Sequence, residues 1–512
     1  MCLHSKYRLP DGYDQQRVVD ALARDFSISA EWSASKRYAF YDTFDWRLFN
    51  KSLALYQSGS TLSLCALDEG NSICGIDVAS SPVFVRDIAE SELRSRLEPI
   101  VRMRALLQLA ETQAQTTIYR ILNRDEKTVS RLIVEEFRLP LEGEEPMQAG
   151  YLWIQPVRGY PKYSQKLMGR CKEMGCAFCQ KEDVYGKILE MAGKQPGSYS
   201  SKFTLRLVPD MPSEEATRVI LRYLLQAVTV NGEYIKQDID TEFLHDFRVA
   251  VRRIRSALGQ IESVFPPKIV KRFKKNFAFV GRFSNRLRDL DVYLLKENRF
   301  KAMLSPLLSE DIAPLFRYLR AKRAEAFREV VEHLESEKYK RILEKWEAFL
   351  NEPPQNGAKT ANARIPIVDL ARSSIDRQYR HIVESRDPTP QQTKDEELHA
   401  IRIECKKLRY LMDFFSSLFS KRKIRTLLRK LKALQDNLGD FNDLCIQEEY
   451  LLAVAEELPV AAHEVSKTLI AINSLVESLK GMKRSSRNTF FQIFSDFASP
   501  GMKKKFHELC AR

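Results

Sequence analysis

The chain reads as an α+β multidomain protein, an N-terminal antiparallel β-barrel followed by an all-α region of two pseudo-symmetric four-helix bundles. Three observations predict this. Residues 1–160 alternate or run β-rich in short segments, whereas helical periodicity begins near residue 165 and continues to the end. A basic helix occurs twice: His245-Asp-Phe-Arg248-Val-Ala-Val-Arg252-Arg253-Ile-Arg255 returns 154 residues later as His399-Ala-Ile-Arg402-Ile-Glu-Cys-Lys406-Lys407-Leu-Arg409. The register persists through a second helix, where Lys271 and Lys275 match Arg425 and Arg429, to Leu287-Arg288-Asp289 and Phe441-Asn442-Asp443. Each copy spans 44 residues from His to Asp without insertion, so the two halves are homologous helical units.

In the first region, strands are predicted at 37–42, 60–66, 116–122 and 128–139, and helices at 15–26 and 89–97. Asn123-Arg124-Asp125-Glu126-Lys127 sits between the last two strands as a hairpin loop. Antiparallel strands with short connections predict a closed barrel or a strongly curved sheet. Further on, Lys194-Gln-Pro-Gly-Ser, Pro209-Asp-Met-Pro212 and Pro266-Pro267 mark joins between helices. The polar stretch 351–366 is the natural linker between the repeats. The expected domains are thus 1–160 (strands), 161–208 (a connecting helical segment) and 209–512 (helices), the last with halves at 209–350 and 367–512.

The 44% hydrophobic content of the 512 residues argues for folded domains with real cores. Residues 1–200 hold 26 Lys+Arg and 26 Asp+Glu, so the net charge of +14 belongs wholly to the repeat region. A localised cationic field suits phosphate polymers, nucleic acid or anionic membrane surfaces. Nine scattered cysteines, with Cys65, Cys405 and Cys445 in apolar contexts, suit a reducing cytosol. Cys171, Cys176 and Cys179 lack a second CxxC or a nearby His pair, so neither a metal site nor a cofactor is expected. No apolar run approaches the ~20 residues of a membrane span. The start, Met1-Cys2-Leu3-His4-Ser5-Lys6, has no signal-peptide core. A cytoplasmic protein is expected.

On a helix, His245, Arg248, Arg252 and Arg255 form one cationic stripe, with Phe247, Val251, Ile254 and Leu258 on another side. His399, Arg402, Lys406 and Arg409 repeat it, with Ile401, Leu408 and Met412 on the apolar side. Lys271 with Lys275, and Arg425 with Arg429, each one turn apart, add a second row. Arg grips phosphate with a planar two-pronged fork that stays charged, while Lys acts as a mobile point charge. A charge run on one helix is usually a solvated face. Two copies in register argue otherwise, because solvation does not require particular positions. The expected contacts are therefore His245, Arg248, Arg252, Arg253, Arg255, Lys271 and Lys275, with His399, Arg402, Lys406, Lys407, Arg409, Arg425 and Arg429. Each His either touches ligand or is a core histidine held by a neighbour. Asp289 and Asp443 would repel a polyanion, so their expected work is to orient Arg or His, or to cap a helix.

The segment Asp240-Thr-Glu-Phe-Leu-His-Asp-Phe-Arg-Val-Ala-Val-Arg-Arg-Ile-Arg255, with Leu438-Gly439-Asp-Phe-Asn442-Asp443, resembles the motifs of the CHAD family, the conserved histidine α-helical domain. The resemblance spans roughly 210–512. It implies two four-helix bundles with a basic groove or pore that binds inorganic polyphosphate. The first region resembles a CYTH domain, a triphosphate-tunnel barrel, at Phe40-Tyr41-Asp42-Thr43 with Leu48, at Val101-Arg102-Met-Arg104 and at 131–137. It departs from that family where two metal-holding carboxylates are expected, since Cys2, His4 and Lys6 stand there. Leu53-Ala-Leu-Tyr-Gln57 likewise replaces a phosphate-gripping Leu-Arg-x-Arg. Only Lys6, Arg102, Arg104, Glu135 and Glu136 are left to line a tunnel, so a barrel without turnover, kept for binding or docking, is expected.

The favoured function is non-catalytic binding of inorganic polyphosphate. The resemblance leaves room for polyphosphate-metabolising enzymes as partners and for association with polyphosphate granules. The alternatives are a metal-dependent triphosphatase in the barrel, disfavoured by the missing carboxylates, and nucleic-acid binding. Against the latter, the stripes carry almost no aromatic residues on which bases would stack, Tyr410 excepted.

Overall fold

The computed structural model describes residues 7–67, 72–140, 147–179, 183–201, 203–352, 360–384, 388–389, 392–458 and 462–511. The chain divides into two compact units, Met1–Ser201 and Lys202–Arg512. The first contains β1 (Tyr7–Arg8), α1 (Gln15–Ala23), β2 (Ser27–Asp42), β3 (Leu53–Ser58), β4 (Thr61–Ala66), β5 (Ser72–Asp77) and α2 (Glu92–Val101). It continues with β6 (Leu107–Leu122), β7 (Thr128–Leu139), β8 (Met147–Pro156), α3 (Pro161–Glu173), β9 (Ala177–Phe178) and α4 (Asp183–Met191).

These strands form one antiparallel nine-stranded sheet in the order β5-β4-β3-β2-β6-β7-β8-β1-β9. Among the described residues the sheet is open, which corrects the expected barrel. β5 and β9 lie at opposite edges, and β9 is only two residues long, so no ladder joins them. The β6–β7 hairpin forms where expected. Asn123 N–H donates to the Lys127 carbonyl, Asn123 Oδ1 accepts from the N–H groups of Asp125 and Lys127, and Glu126 takes the left-handed φ of 58° that the turn needs. Strands β1, β3, β5, β8 and β9 fall outside the predicted set. In β8 the interruption is Gly150, where a Cβ would lie 2.7 Å from Leu9 Cδ1, so the close approach of the chain before α1 removes the side chain from the pattern. Apolar clusters cover the sheet: Val18 and Leu22 of α1 and Leu167 of α3 pack against Val134 and Leu152, and Tyr185 and Ile188 of α4 against Phe40 and Tyr151.

The second unit contains α5 (Ser213–Ile235), α6 (Thr241–Gln260), α7 (Pro267–Phe283), α8 (Asn285–Leu295), α9 (Glu297–Met303), α10 (Ala313–Glu335) and α11 (Glu337–Asn351). It continues with α12 (Ile367–Glu384), α13 (Asp395–Phe414), α14 (Lys421–Glu457), α15 (Ala462–Ala498) and α16 (Pro500–Cys510). Part of the expected linker, 353–359, lies outside the described residues. The repeat is visible in the helix ends. Both ends of α13 lie 154 residues after those of α6, and α12 and α14 begin 154 residues after α5 and α7. The halves differ at Ser284, which separates α7 from α8, whereas α14 runs unbroken for 37 residues.

The two halves clasp each other through the segments before α5 and α12. Ser213 N–H donates to Ile365 O at 3.0 Å while Ile367 N–H donates to Met211 O at 2.9 Å. Glu214 N–H reaches Ala363 O at 3.0 Å and Val368 N–H reaches Pro209 O at 3.2 Å. Each bond maps onto its partner under the 154-residue offset, so a local twofold axis passes between the bridged Pro212 and Pro366.

In the first half, Trp346 of α11 is fully buried, with ring centroids 4.5 Å from Phe273 and 5.2 Å from Phe277 on α7. Trp346→Ala is expected to destabilise the helical unit by about 3–5 kcal/mol, because the cavity it leaves cannot collapse. Urea unfolding followed by far-ultraviolet circular dichroism measures this.

Candidate functional site

The basic helices form for identifiable reasons. Asp240 caps α6, its Oδ1 accepting from the N–H groups of Glu242 (2.8 Å) and Phe243 (3.2 Å). Helix α13 lacks a side-chain cap but opens with Asp395, Glu396 and Glu397, which oppose its dipole. Phe243, Phe247, Val251, Ile254 and Leu258 bury one stripe of α6, and Leu398, Ile401, Cys405, Leu408 and Met412 one stripe of α13. α6 and α13 pack against each other, which brings the two basic stripes together.

At this seam Arg252 of α6 faces Arg402 and Lys406 of α13, and Arg248 lies one turn from Arg252. Burial pushes Arg402 below its ordinary value despite Asp443 beside it, and Arg252 lowers it further. Burial, with the fields of Arg402 and Arg252, pushes the Lys406 ammonium down to about 8. Burial and Arg252 bring Arg248 down to about 10. Cations held at mutual expense attract an anion, since a negative charge relieves both the repulsion and the lost solvation.

The structure sorts the expected contacts by what already holds them. Arg253 reaches Asp413 across the seam at 3.5 Å, and Arg409 binds the same carboxylate at 3.0 Å. Lys407 pairs with Glu404 at 2.8 Å. These three cations are engaged within the fold. Arg248 Nη1 donates to Gly281 O (3.2 Å), Ser284 Oγ (2.9 Å) and Asn285 Oδ1 (2.7 Å), so it caps the break between α7 and α8. Its counterpart Arg402 faces an unbroken helix with Leu438 where Ser284 would be. Among the described residues it reaches only Asp443, at 3.9 Å, and its Nε is buried without a hydrogen-bond partner. Among the described residues Arg252, Arg255, Lys271, Lys275, Lys406, Arg425 and Arg429 form no ion pair. Of these, Lys271, Lys275, Arg425 and Arg429 stand apart, on the sides of α7 and α14 opposite their buried stripes.

Both histidines are tied to equivalent repeat positions, on α8 in the first half and on α14 in the second. His245 Nδ1 lies 3.0 Å from Arg288 Nη2, and His399 Nδ1 lies 2.8 Å from Asn442 Oδ1. Arg only donates, so His245 accepts at Nδ1, whereas His399 as oriented donates. Arg288 also donates to Thr241 O at 3.1 Å. Near the acidic corners, burial raises Asp289 despite Arg248 and Arg288, and lowers Lys296 despite Asp443. Arg288 and Lys296 escaped the sequence reading because Asn442 stands where Arg288 would repeat and Tyr450 where Lys296 would.

In the sheet unit, the described residues expected to line a tunnel meet different surroundings. Arg104 is fully buried, 3.9 Å from Asp45, which also binds Arg47 at 3.0 Å. Arg102 ends α2 at a positive φ, and Glu135 is buried beside Thr116. Only Glu136 lines the 410 Å³ cleft there, with Asp14, Gln15, Ser35, Gln113, Gln115 and Arg138 among its neighbours. Cys2, His4 and Lys6 lie outside the described residues. Cys171 and Cys176 belong to one apolar core, where burial pushes their thiols up to about 12 and about 11, and Cys179 belongs to another.

Because Asp413 answers both Arg253 and Arg409 beside the cationic seam, Asp413→Ala is expected to lower stability by about 2 kcal/mol in urea titrations. Asp413→Asn, which keeps the hydrogen-bonding shape, is expected to lose less.

Residues 219–452 match the family model of the CHAD domain. No curated protein matches the chain. Among solved structures, the CHAD domain from the plant Ricinus communis is similar at TM-score 0.47 and 23% identity, covering 60% of this chain and 95% of that one. PptA from Streptomyces chartreusis is similar at 0.45 and 16%, covering 56% and 100%. HpAC1 from Hippeastrum, described with a dominant triphosphatase activity, is similar at 0.25 and 17%, covering 38% and 98%. The doubled basic helix and the helix ends offset by 154 residues agree with this match, and it is over residues 219–452 that the chain matches the CHAD domain.

Proposed function

We propose that the helical unit, read as two pseudo-symmetric four-helix bundles, binds inorganic polyphosphate at the α6–α13 seam without turning it over. The observation that carries this is the cluster of Arg252 and Lys406, which form no ion pair among the described residues, with Arg402, whose Nε is buried and unpartnered. A linear chain of phosphates offers an acceptor to each cation in turn and needs no base-reading side chains. Arg248 and Arg255 extend the row, while Lys271, Lys275, Arg425 and Arg429 supply outer contacts for longer chains. Arg253, Lys407 and Arg409 act here through the fold, by holding α6 and α13 in place. The histidines act here through their Nδ1 contacts, which fix their helices.

The sheet unit is read as a CYTH-like module without turnover. Its cleft carries Asp14 and Glu136 against one Arg138, a balance that repels a triphosphate. A cytoplasmic site of action, at polyphosphate granules, fits this reading, with polyphosphate-metabolising enzymes as partners. Nucleic acid fits it less well, because Tyr410, the aromatic residue beside the stripe, stacks on Phe414 inside the fold.

Binding of long-chain polyphosphate to the wild type and to Arg252→Ala/Arg402→Ala/Lys406→Ala, across a salt series with RNA as competitor, tests the proposal. The substitutions are expected to reduce affinity at least tenfold and to flatten the logarithmic salt slope by about one per cation removed. Equal competition by RNA, or unchanged binding by the variant, would sink the reading.

The seam also predicts a pH response. Lys406 has a folded value of about 8 against an ordinary 10.5, and a bound polyanion favours its charged form. Affinity should therefore be full below about pH 8 and fall as the pH rises through it. Lys406→Arg should remove that fall, as calorimetric titration at several pH values would report.

A further inference from the structure

Lys406 combines three properties that a simple phosphate contact does not require. It is partly buried, it forms no ion pair among the described residues, and two guanidinium groups press on it. The charged groups facing it are Arg402 one turn earlier on α13, Arg252 from α6 and Asp443 from α14. A substantial fraction of its amine is therefore neutral and nucleophilic near physiological pH, inside a site that collects phosphate. Its sequence neighbour Lys407 is instead ion-paired, since Glu404 holds its ammonium at 2.8 Å.

We propose that Lys406 is a site of acylation by small acyl phosphates, whose phosphate end rests on Arg252 and Arg402 while the Lys406 amine attacks the acyl carbon. A bond forms between Nζ and the carbonyl carbon, and the bond from that carbon to the phosphate oxygen breaks. The leaving electron pair departs with inorganic phosphate, and the proton lost from nitrogen passes to water. Nothing is oxidised or reduced. The two guanidinium groups stabilise the charge that builds on the phosphate as it leaves. The product amide has no positive charge, so acylation removes one of the three central cations and weakens polyanion binding. That consequence rests on the polyphosphate reading above. The acylation itself requires only a phosphate-holding seam.

The test uses the full chain, acetyl phosphate near neutral pH, and mass spectrometry of the acetylated positions, with Lys407 as the internal reference. The lowered value of Lys406, partly offset by its lower basicity, and the ion pair that occupies Lys407 should make Lys406 react about tenfold faster than Lys407. N-acetoxysuccinimide, an acetyl donor without phosphate, should show a smaller preference for Lys406. Equal labelling of the two lysines by acetyl phosphate, or the same preference from both donors, overturns the proposal. Lys406→Arg should fold normally and lose the fast-reacting position. Polyphosphate, with its binding measured in the same sample, should protect Lys406. Binding without protection would overturn the shared site. A polymer that fails to bind would remove the polyphosphate reading, and the ratio of Lys406 to Lys407 would still decide the acylation.

Discussion

The reciprocal clasp around Pro212 and Pro366 is the constraint on which the helical unit depends. Four backbone hydrogen bonds, two from each half, join the segment before one helix to the segment before its counterpart. A single pairing of this kind would join two bodies loosely. Its doubling about a local twofold axis fixes the orientation of α5 against α12, and the helices that follow inherit the symmetry. The packing of α6 on α13 is one such consequence, and with it the meeting of two cationic stripes.

That meeting is unfavourable in itself. Arg402 and Lys406 lose solvent and are repelled by Arg252, as their lowered values record. The apolar stripes beneath them offset this, since most core residues of α6 and α13 are almost wholly buried. Asp413 adds a specific restraint by holding Arg253 and Arg409 at the edge of the cluster. The fold thus spends some charged residues on keeping others close together. Strain of this electrostatic kind is what a site for a polyanion requires, because the ligand removes it.

The two copies have diverged in a way that distributes these tasks. In the first, Ser284 interrupts the long helix and Arg248 caps the break. In the second, α14 continues through Leu438, and Arg402 has no such acceptors. The same residue type at the same repeat position is therefore a structural cap in one half and a cation with unused hydrogen-bonding capacity in the other. A corresponding exchange occurs at Gly259 and Asp413. The absence of a carboxylate in the first copy leaves Arg255 exposed, whereas its counterpart Arg409 is paired.

Local periodicity was enough to read the strand-rich and helical regions, the β6–β7 hairpin, the repeat and the amphipathic character of α6 and α13. Each depends on neighbours within a turn or a strand pair, and such signals are written into adjacent positions. The open sheet was not legible, because closure depends on whether two edge strands far apart in sequence meet, and β9 is too short to show its presence. Nor was the division of the cations into paired and unpaired. Asp413 and Glu404 could be seen in the sequence, but only packing shows which guanidinium or ammonium group each one holds. In the sheet unit the same reason removed Arg104 from the expected tunnel, since its partner Asp45 lies 59 positions away in the chain. The sequence by itself determined where positive charge recurs. The tertiary structure decided which of those charges remain available, because availability depends on partners brought together by the fold and not by the chain.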